Sequence, residues 1–152
     1  MELRESATGA GIARLNALVD RRLPGSYLDF LAVTDGLLLN FSYDGVSLGT
    51  CDERLAIFGA ADYDFVESIA SLASGRRFFP FAAIAGESDV YLFDTQRCTT
   101  ADEFAVVHGS VEASQLWPTA EPLVSSFDEF FERVIGNVEQ GDSLGIEPDD
   151  VP

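Results

Sequence analysis

The chain has no lysine. Nine arginines are its only basic side chains besides one histidine, set against 26 acidic ones in 152 residues, for a formal net charge of −17. A phosphate backbone is gripped by Lys and Arg clusters that release counterions, so a surface this negative repels nucleic acid and, for the same reason, anionic membranes. Cysteine and histidine are nearly as scarce. Cys51 and Cys98 stand far apart with no second pair nearby, which fits neither a disulfide scaffold nor a C-x-x-C metal or redox motif and reads as reduced thiols. His108 is the single histidine and cannot build a His-rich metal site. No metal and no cofactor is expected. No apolar run approaches the roughly 20 residues that cross a bilayer, and no basic stretch leads into an apolar segment at the N-terminus. Residence in the cytoplasm is the expectation.

What the chain does have is material for a core. The hydrophobic fraction is 47%, with 12 phenylalanines, and the length suits one domain that buries roughly two-thirds of the surface its unfolded form exposes. The periodic part runs over 1–140. Residues 141–152, GDSLGIEPDDVP, are acidic, aperiodic and punctuated by Gly and Pro, so this tail is expected to be mobile unless a partner holds it.

Helical spacing of Ile12, Leu15, Leu18 and Val19 predicts a first helix over Ala10–Arg22. A second begins at Pro24, which suits the first helical position, buries Tyr27, Phe30 and Leu31 on one face, and stops at Gly36. Leu37–Ser42 favours a strand, and the turn signal at Asp44-Gly45, ahead of Ser47 and Leu48, points to a first strand pair there. Phe65, Val66, Ile69 and Leu72 predict a third helix whose start Asp62 or Asp64 can cap. Phe78–Ala85, Val90–Asp94 and Phe104–His108 follow as short runs separated by polar residues, the second gap being Thr95–Asp102. An antiparallel meander is the natural reading, with Pro80 at the start or edge of its strand because it lacks an amide proton. Ser126-Phe127-Asp128-Glu129 is a capping-box sequence opening a helix whose apolar face is Phe127, Phe130, Phe131, Val134, Ile135 and Val138. The fold class is therefore α+β, a single domain with a mainly meander antiparallel sheet flanked by N-terminal and C-terminal helices.

Catalytic signals are weak. Gly45-Val46-Ser47-Leu48-Gly49 matches the nucleophile elbow of α/β-hydrolases, and Asp94 or Asp102 with His108 completes the chain order, but that fold needs a long parallel sheet that a meander of this length cannot supply. An ordinary two-glycine turn is the preferred reading, and His108 reads as a hydrogen-bonded structural histidine. Gly9-Ala10-Gly11 lacks the preceding strand and third glycine of a dinucleotide loop and reads as a flexible lead-in. The densest acidic cluster carrying an aromatic is Asp62, Tyr63, Asp64 and Glu67, with Asp52 and Glu53 nearby. It is the candidate partner-binding surface, able to receive arginines or lysines around an aromatic anchor. The same residues also make a plain solvated helix face whose aspartates cap its start. Likewise the negative charge serves solubility or complementarity to a basic partner, and charge alone does not choose.

Leu23, Pro24, Tyr27, Phe30 and Leu31, followed by Asp35 and Gly36, form the pattern L-P-x-x-Y-x-x-F-L with a polar-Gly close. In this the chain resembles the SUKH superfamily, named for fungal Smi/Knr-type regulators and populated mostly by bacterial immunity proteins. The resemblance implies a SUKH-like α+β domain in which these seven residues are structural, with no enzymatic activity. It implies a cytoplasmic immunity protein that binds and neutralises a cognate polymorphic toxin, often a nuclease, by steric and electrostatic blockade. The fungal relatives imply an alternative, a scaffold or regulatory interaction module with no toxin partner.

Overall fold

The computed structural model describes residues 2–19, 22–45, 49–72, 77–84, 88–100, 102–119 and 121–140, with side chains described for all of these except 2, 41–45, 49–53 and 138–140. The chain runs β1 (Glu2–Leu3), α1 (Gly9–Asn16), α2 (Gly25–Val33), β2 (Leu37–Gly45), β3 (Gly49–Ile57), a 3₁₀ turn (Ala60–Asp62), α3 (Tyr63–Ala70), β4 (Phe78–Ile84), β5 (Asp89–Thr100), β6 (Glu103–Glu112), β7 (Gln115–Pro118) and α4 (Phe127–Gln140). All seven strands join one antiparallel meander in sequence order. The α+β class and the meander expected from the sequence are what the molecule adopts. The tail 141–152 and Ser47 lie outside the described residues.

Strand alternation sends successive side chains to opposite faces, and the two faces carry different cargo. Tyr91 and Phe93 of β5 join Phe79, Phe81 and Val106 beneath α1, α2 and α4 in the main core. Val90 and Leu92, between them on the strand, point the other way and meet Val107, Leu116 and Ile69 of α3. Tyr27 is the hub of the first face. Its ring lies 5.3 Å from Phe93, 5.4 Å from Phe127 and 5.9 Å from Phe79, each edge-on, the arrangement that the aromatic quadrupole favours. Its hydroxyl, fully buried, donates to the Phe58 carbonyl, so no polar group is stranded there. Burial first, then the field of Asp35 and Asp62, pushes the Tyr27 phenol far above its ordinary pKa, and it stays protonated.

The α2 start differs by one residue from expectation. Pro24 takes the cap position with extended ψ of 143°, and the helix begins at Gly25. With no capping side chain of its own, α2 borrows partners from β6 and the residue before it. The Gly25 amide donates to the Asp102 carbonyl at 2.8 Å, and the Ser26 amide and hydroxyl donate to the Glu103 carboxylate at 2.9 and 2.6 Å. At the other end the helix stops before Gly36, at Val33 with Thr34 already extended at ψ 136°, and Gly36, at φ +103°, turns the chain into β2 instead.

Helix α1 is shorter than its periodicity predicts. It starts at Gly9, capped by Thr8 Oγ1 accepting the Gly11 amide at 3.0 Å, so Gly9–Gly11 form its first turn rather than a loose lead-in. It ends at Asn16, whose side-chain oxygen turns to accept the Leu23 amide at 2.9 Å, while Leu15 and Val19 still reach the core. Asp44-Gly45 also departs from its turn signal. Those residues remain paired, Gly45 opposite Gly49, and extend β2. The segment Thr95–Thr100, expected as a polar connection, continues β5 with irregular register against β6. Pro80 follows the rule for its type, lying beyond the last β3 pairing at Ile57–Ala82 and beside a bulge between Pro80 and Ala82.

In α4 the capping box is shifted. The Glu129 amide donates to Ser126 Oγ at 3.1 Å as the sequence predicts, but the Glu129 carboxylate accepts from the Ser125 amide and hydroxyl, at 3.0 and 2.7 Å. Those bonds, the Ser125 amide foremost, hold the Glu129 carboxyl below its ordinary pKa. Phe127, Phe130 and Val134 are buried and Phe131 packs against them.

Candidate partner-binding site

Asp35, Gly36 and Gly59 make a joint that fixes where α3 lies. The Asp35 carboxylate accepts the amides of Ala60 and Ala61, capping the 3₁₀ turn that leads into α3. Gly59 is needed for this approach, because a Cβ there would stand 2.2 Å from Asp35 Oδ1 and 2.4 Å from its carbonyl carbon. Asp62 completes the joint. It accepts the Gly59 amide at 3.0 Å and the Arg4 guanidinium at 2.7 and 3.3 Å, and that hydrogen bond raises the Arg4 pKa. Asp62 therefore serves the 3₁₀ turn rather than capping α3 itself, which has no side-chain cap.

The six residues of the candidate binding surface are thus placed unequally. Asp62 is engaged inside the molecule, and Tyr63 is half-buried under the Arg14 guanidinium, 4.1 Å from its ring centroid. Asp64 and Glu67, three residues apart on α3, are both exposed. Asp52 and Glu53 belong to β3 by their backbone, and their side chains lie outside the described residues.

Next to Asp64 stands a residue whose exposure the sequence did not disclose. Phe65 is 53% exposed, while its neighbours Val66 and Ile69 carry the buried face of α3. Phe65 packs edge-on to Phe58 at 5.2 Å and forms one wall of an open groove of about 670 Å³. The groove's floor is the second face of the sheet, with Ala56, Ala83, Val90 and Val111. Ser68 and Ile69 of α3, with Leu72 just beyond its end, line it on one side, and Ser114 of the β6–β7 hairpin on the other. Both central residues of that hairpin, Ala113 and Ser114, hold positive φ of 52° and 61°, the conformation that matches the sheet's twist in two-residue loops. Helical periodicity alone could not single out Phe65, because it sits beside Val66 and either could face inward. A second exposed aromatic, Trp117 on β7, is 57% exposed and does not line this groove.

Of the residues weighed for hydrolysis, Ser47 lies outside the described residues, and Asp94, Asp102 and His108 each have different partners. The His108 Nε2 faces Asp89 Oδ1 at 2.8 Å, and its ring lies edge-on to Tyr91. Asp94 is 2% exposed and gripped through both oxygens by Arg77 at 2.8 Å, with Arg97 at 3.4 Å. Burial acts to raise the Asp94 pKa, but Arg77, the Gln96 amide and Arg97 outweigh it and hold the carboxyl below its ordinary range. Asp102 contributes its carbonyl to the start of α2. His108 thus makes the structural contact expected of it, with Asp89 as partner. Among the described residues, no helix is long and apolar enough to cross a membrane.

No protein-family model matches this chain, and no curated protein matches it in sequence. What its surface can do is therefore argued from geometry and charge. An exposed aromatic next to the exposed Asp64, at the wall of an open groove lined by apolar residues and serines, has the composition of a protein-binding patch: an anchor within a polar rim.

Proposed function

We propose that this chain is a non-catalytic immunity protein of the cytoplasm, which binds and neutralises a cognate protein toxin with a basic surface by steric and electrostatic blockade. The observation that carries the reading is the α3 face, where Phe65 stands exposed next to the exposed Asp64 on a molecule of net charge −17. The Leu23–Gly36 pattern, with its likeness to SUKH immunity proteins, supports the same reading. A nuclease is the natural target class, since a groove built to hold phosphates is basic and an acidic protein complements it. Long-range attraction then sets the association rate, and desolvation of the aromatic centre sets the dissociation rate.

Growth rescue tests the proposal. Cells expressing a toxin encoded beside this chain's gene should regain growth when the chain is co-expressed, and purified toxin should associate with it at a rate that falls steeply with added salt. Failure to rescue, together with binding to a cellular protein unrelated to any toxin, would replace this reading with the scaffold alternative. A salt-independent association rate would remove electrostatic steering and leave steric blockade.

A further inference from the structure

Among the described residues, the second face of the sheet is incompletely covered. Helix α3 has eight residues, and it shields only part of a seven-stranded sheet whose other face is roofed by three helices. What it leaves open is the apolar groove bounded by Phe65, Ile69, Val90 and Val111, of about 670 Å³, a size that receives several side chains or a drug-sized molecule. An apolar trough of this kind is a binding surface for whatever fills it.

From this geometry we infer that the groove seats apolar side chains carried on a basic segment of a partner protein. The inference rests on the immunity reading for the partner's identity, and on this groove alone for the place and chemistry of contact. Two observations select this occupant. The groove's lining residues are all apolar or serine, so the inserted groups are apolar. On α3 the exposed carboxylate of Asp64 stands one turn before Ser68 of the lining, and the whole chain carries −17, so the segment flanking the inserted groups is cationic. A second copy of the chain would bring the same negative charge and is repelled. One exposed cation, Arg54, lies two residues from Ala56 on the same face of β3 and opposes this trend locally.

The test uses the full chain and three synthetic fourteen-residue helical peptides: a Leu/Lys amphipath, a Ser/Lys peptide of equal charge, and a Leu/Glu amphipath. In an NMR titration the Leu/Lys peptide should shift the amides of Phe65, Ser68, Ile69, Val90 and Val111, and bind at least tenfold more tightly than either of the others. Phe65→Ser and the groove-filling Ser68→Trp should each weaken it about tenfold, and Arg54→Glu should strengthen it. Equal binding of the Ser/Lys peptide, shifts spread over the acidic surface, or unchanged affinity in both groove variants would overturn the inference by showing charge alone at work. Concentration-dependent shifts of the same amides without peptide would overturn it in favour of self-association. The outcome is separable from the immunity reading. If Phe65→Ser and Ser68→Trp rescue toxin-expressing cells as well as the wild type, the groove is not the seat although neutralisation stands. If the wild type rescues nothing while the Leu/Lys peptide maps to the groove, neutralisation falls and the groove remains a site.

Discussion

The two faces of the sheet differ in how completely they are packed. Under α1, α2 and α4, one face carries a continuous aromatic core in which Tyr27, Phe79, Phe81, Phe93, Phe127 and Phe130 are buried and in mutual ring contact. Under α3, the other face holds a five-residue buried cluster and an open groove. The contrast teaches where stability and recognition reside. Protein interiors are close-packed, so a well-filled face has no room for a ligand, whereas an underfilled one gives up stabilisation that a partner can supply.

The sharpest way to test this division is to damage the packed face. Phe127 touches Tyr27, Phe30, Phe81, Phe93 and Phe131, and truncating it leaves a cavity that neighbouring rings cannot close. Phe127→Ala should cost about 3–5 kcal/mol in urea unfolding. A loss below about 1 kcal/mol would show that the aromatic face is not the molecule's principal source of stability.

The joint between the faces comes next in size. Gly59→Ala forces a methyl group against the Asp35 backbone, at a distance no side-chain rotation relieves, and should cost about 1–3 kcal/mol. Because Asp35 caps the turn into α3, the damage should be local as well as global. Amide exchange in α3 should accelerate more than in α4. Uniform acceleration across both helices would deny that Gly59 and Asp35 position α3 specifically.

How much of this was readable in the residues follows from what each element depends on. Helices whose apolar positions repeat at 3.6 residues, α4 above all, are legible because one face must be buried wherever the helix sits. The meander core from β4 to β6 is legible from its short apolar runs. Strands β1 and β7 are not, and β3 is announced only by the turn signal before it, as the second half of a strand pair, with its extent unmarked. β3 carries Asp52-Glu53-Arg54 within it and is held by pairing to β2 and β4, so its strand state is a property of its neighbours. Nor does the sequence disclose that Glu103, seventy-seven positions away, caps α2, or that Asp62 is drawn off by Arg4. The seven motif residues from Leu23 to Gly36 lie in or beside α2, where Tyr27 and Leu31 are core and Asp35 and Gly36 form the joint. The groove was invisible for the same reason that the extent of β3 was: it arises from what covers what, and the decisive residue, Phe65, looks in sequence like one more core position.

A smaller effect with a distinct pH signature comes from Asp94. Arg77 is about one-third exposed and can rehydrate, so Asp94→Asn should cost about 1–2 kcal/mol at neutral pH. Because the folded-state pKa of Asp94 is lowered, the stabilisation is complete above the unfolded value of about 3.9 and is lost as the pH falls through the folded value below it. Urea midpoints of wild type and variant should therefore differ at pH 7 and converge under strongly acidic conditions. A gap that persists undiminished at low pH would mean that the carboxylate's charge contributes nothing to the difference.

The least costly substitution is the one that bears most on function. Phe65 is half in water and its main protein contact is the edge of Phe58, so Phe65→Ser should change stability by less than about 1 kcal/mol. The native sheet should remain intact, which leaves any loss of partner binding attributable to the missing ring. The comparison between the faces then takes a measurable form: Phe127→Ala should lower stability severalfold more than Phe65→Ser, while affinity for the proposed partner, corrected for the folded fraction, should fall in Phe65→Ser and hold in Phe127→Ala. If instead Phe65→Ser unfolds the chain as readily as a core truncation, Phe65 is part of the scaffold and the groove beside it is a packing defect, not a surface kept open for a partner.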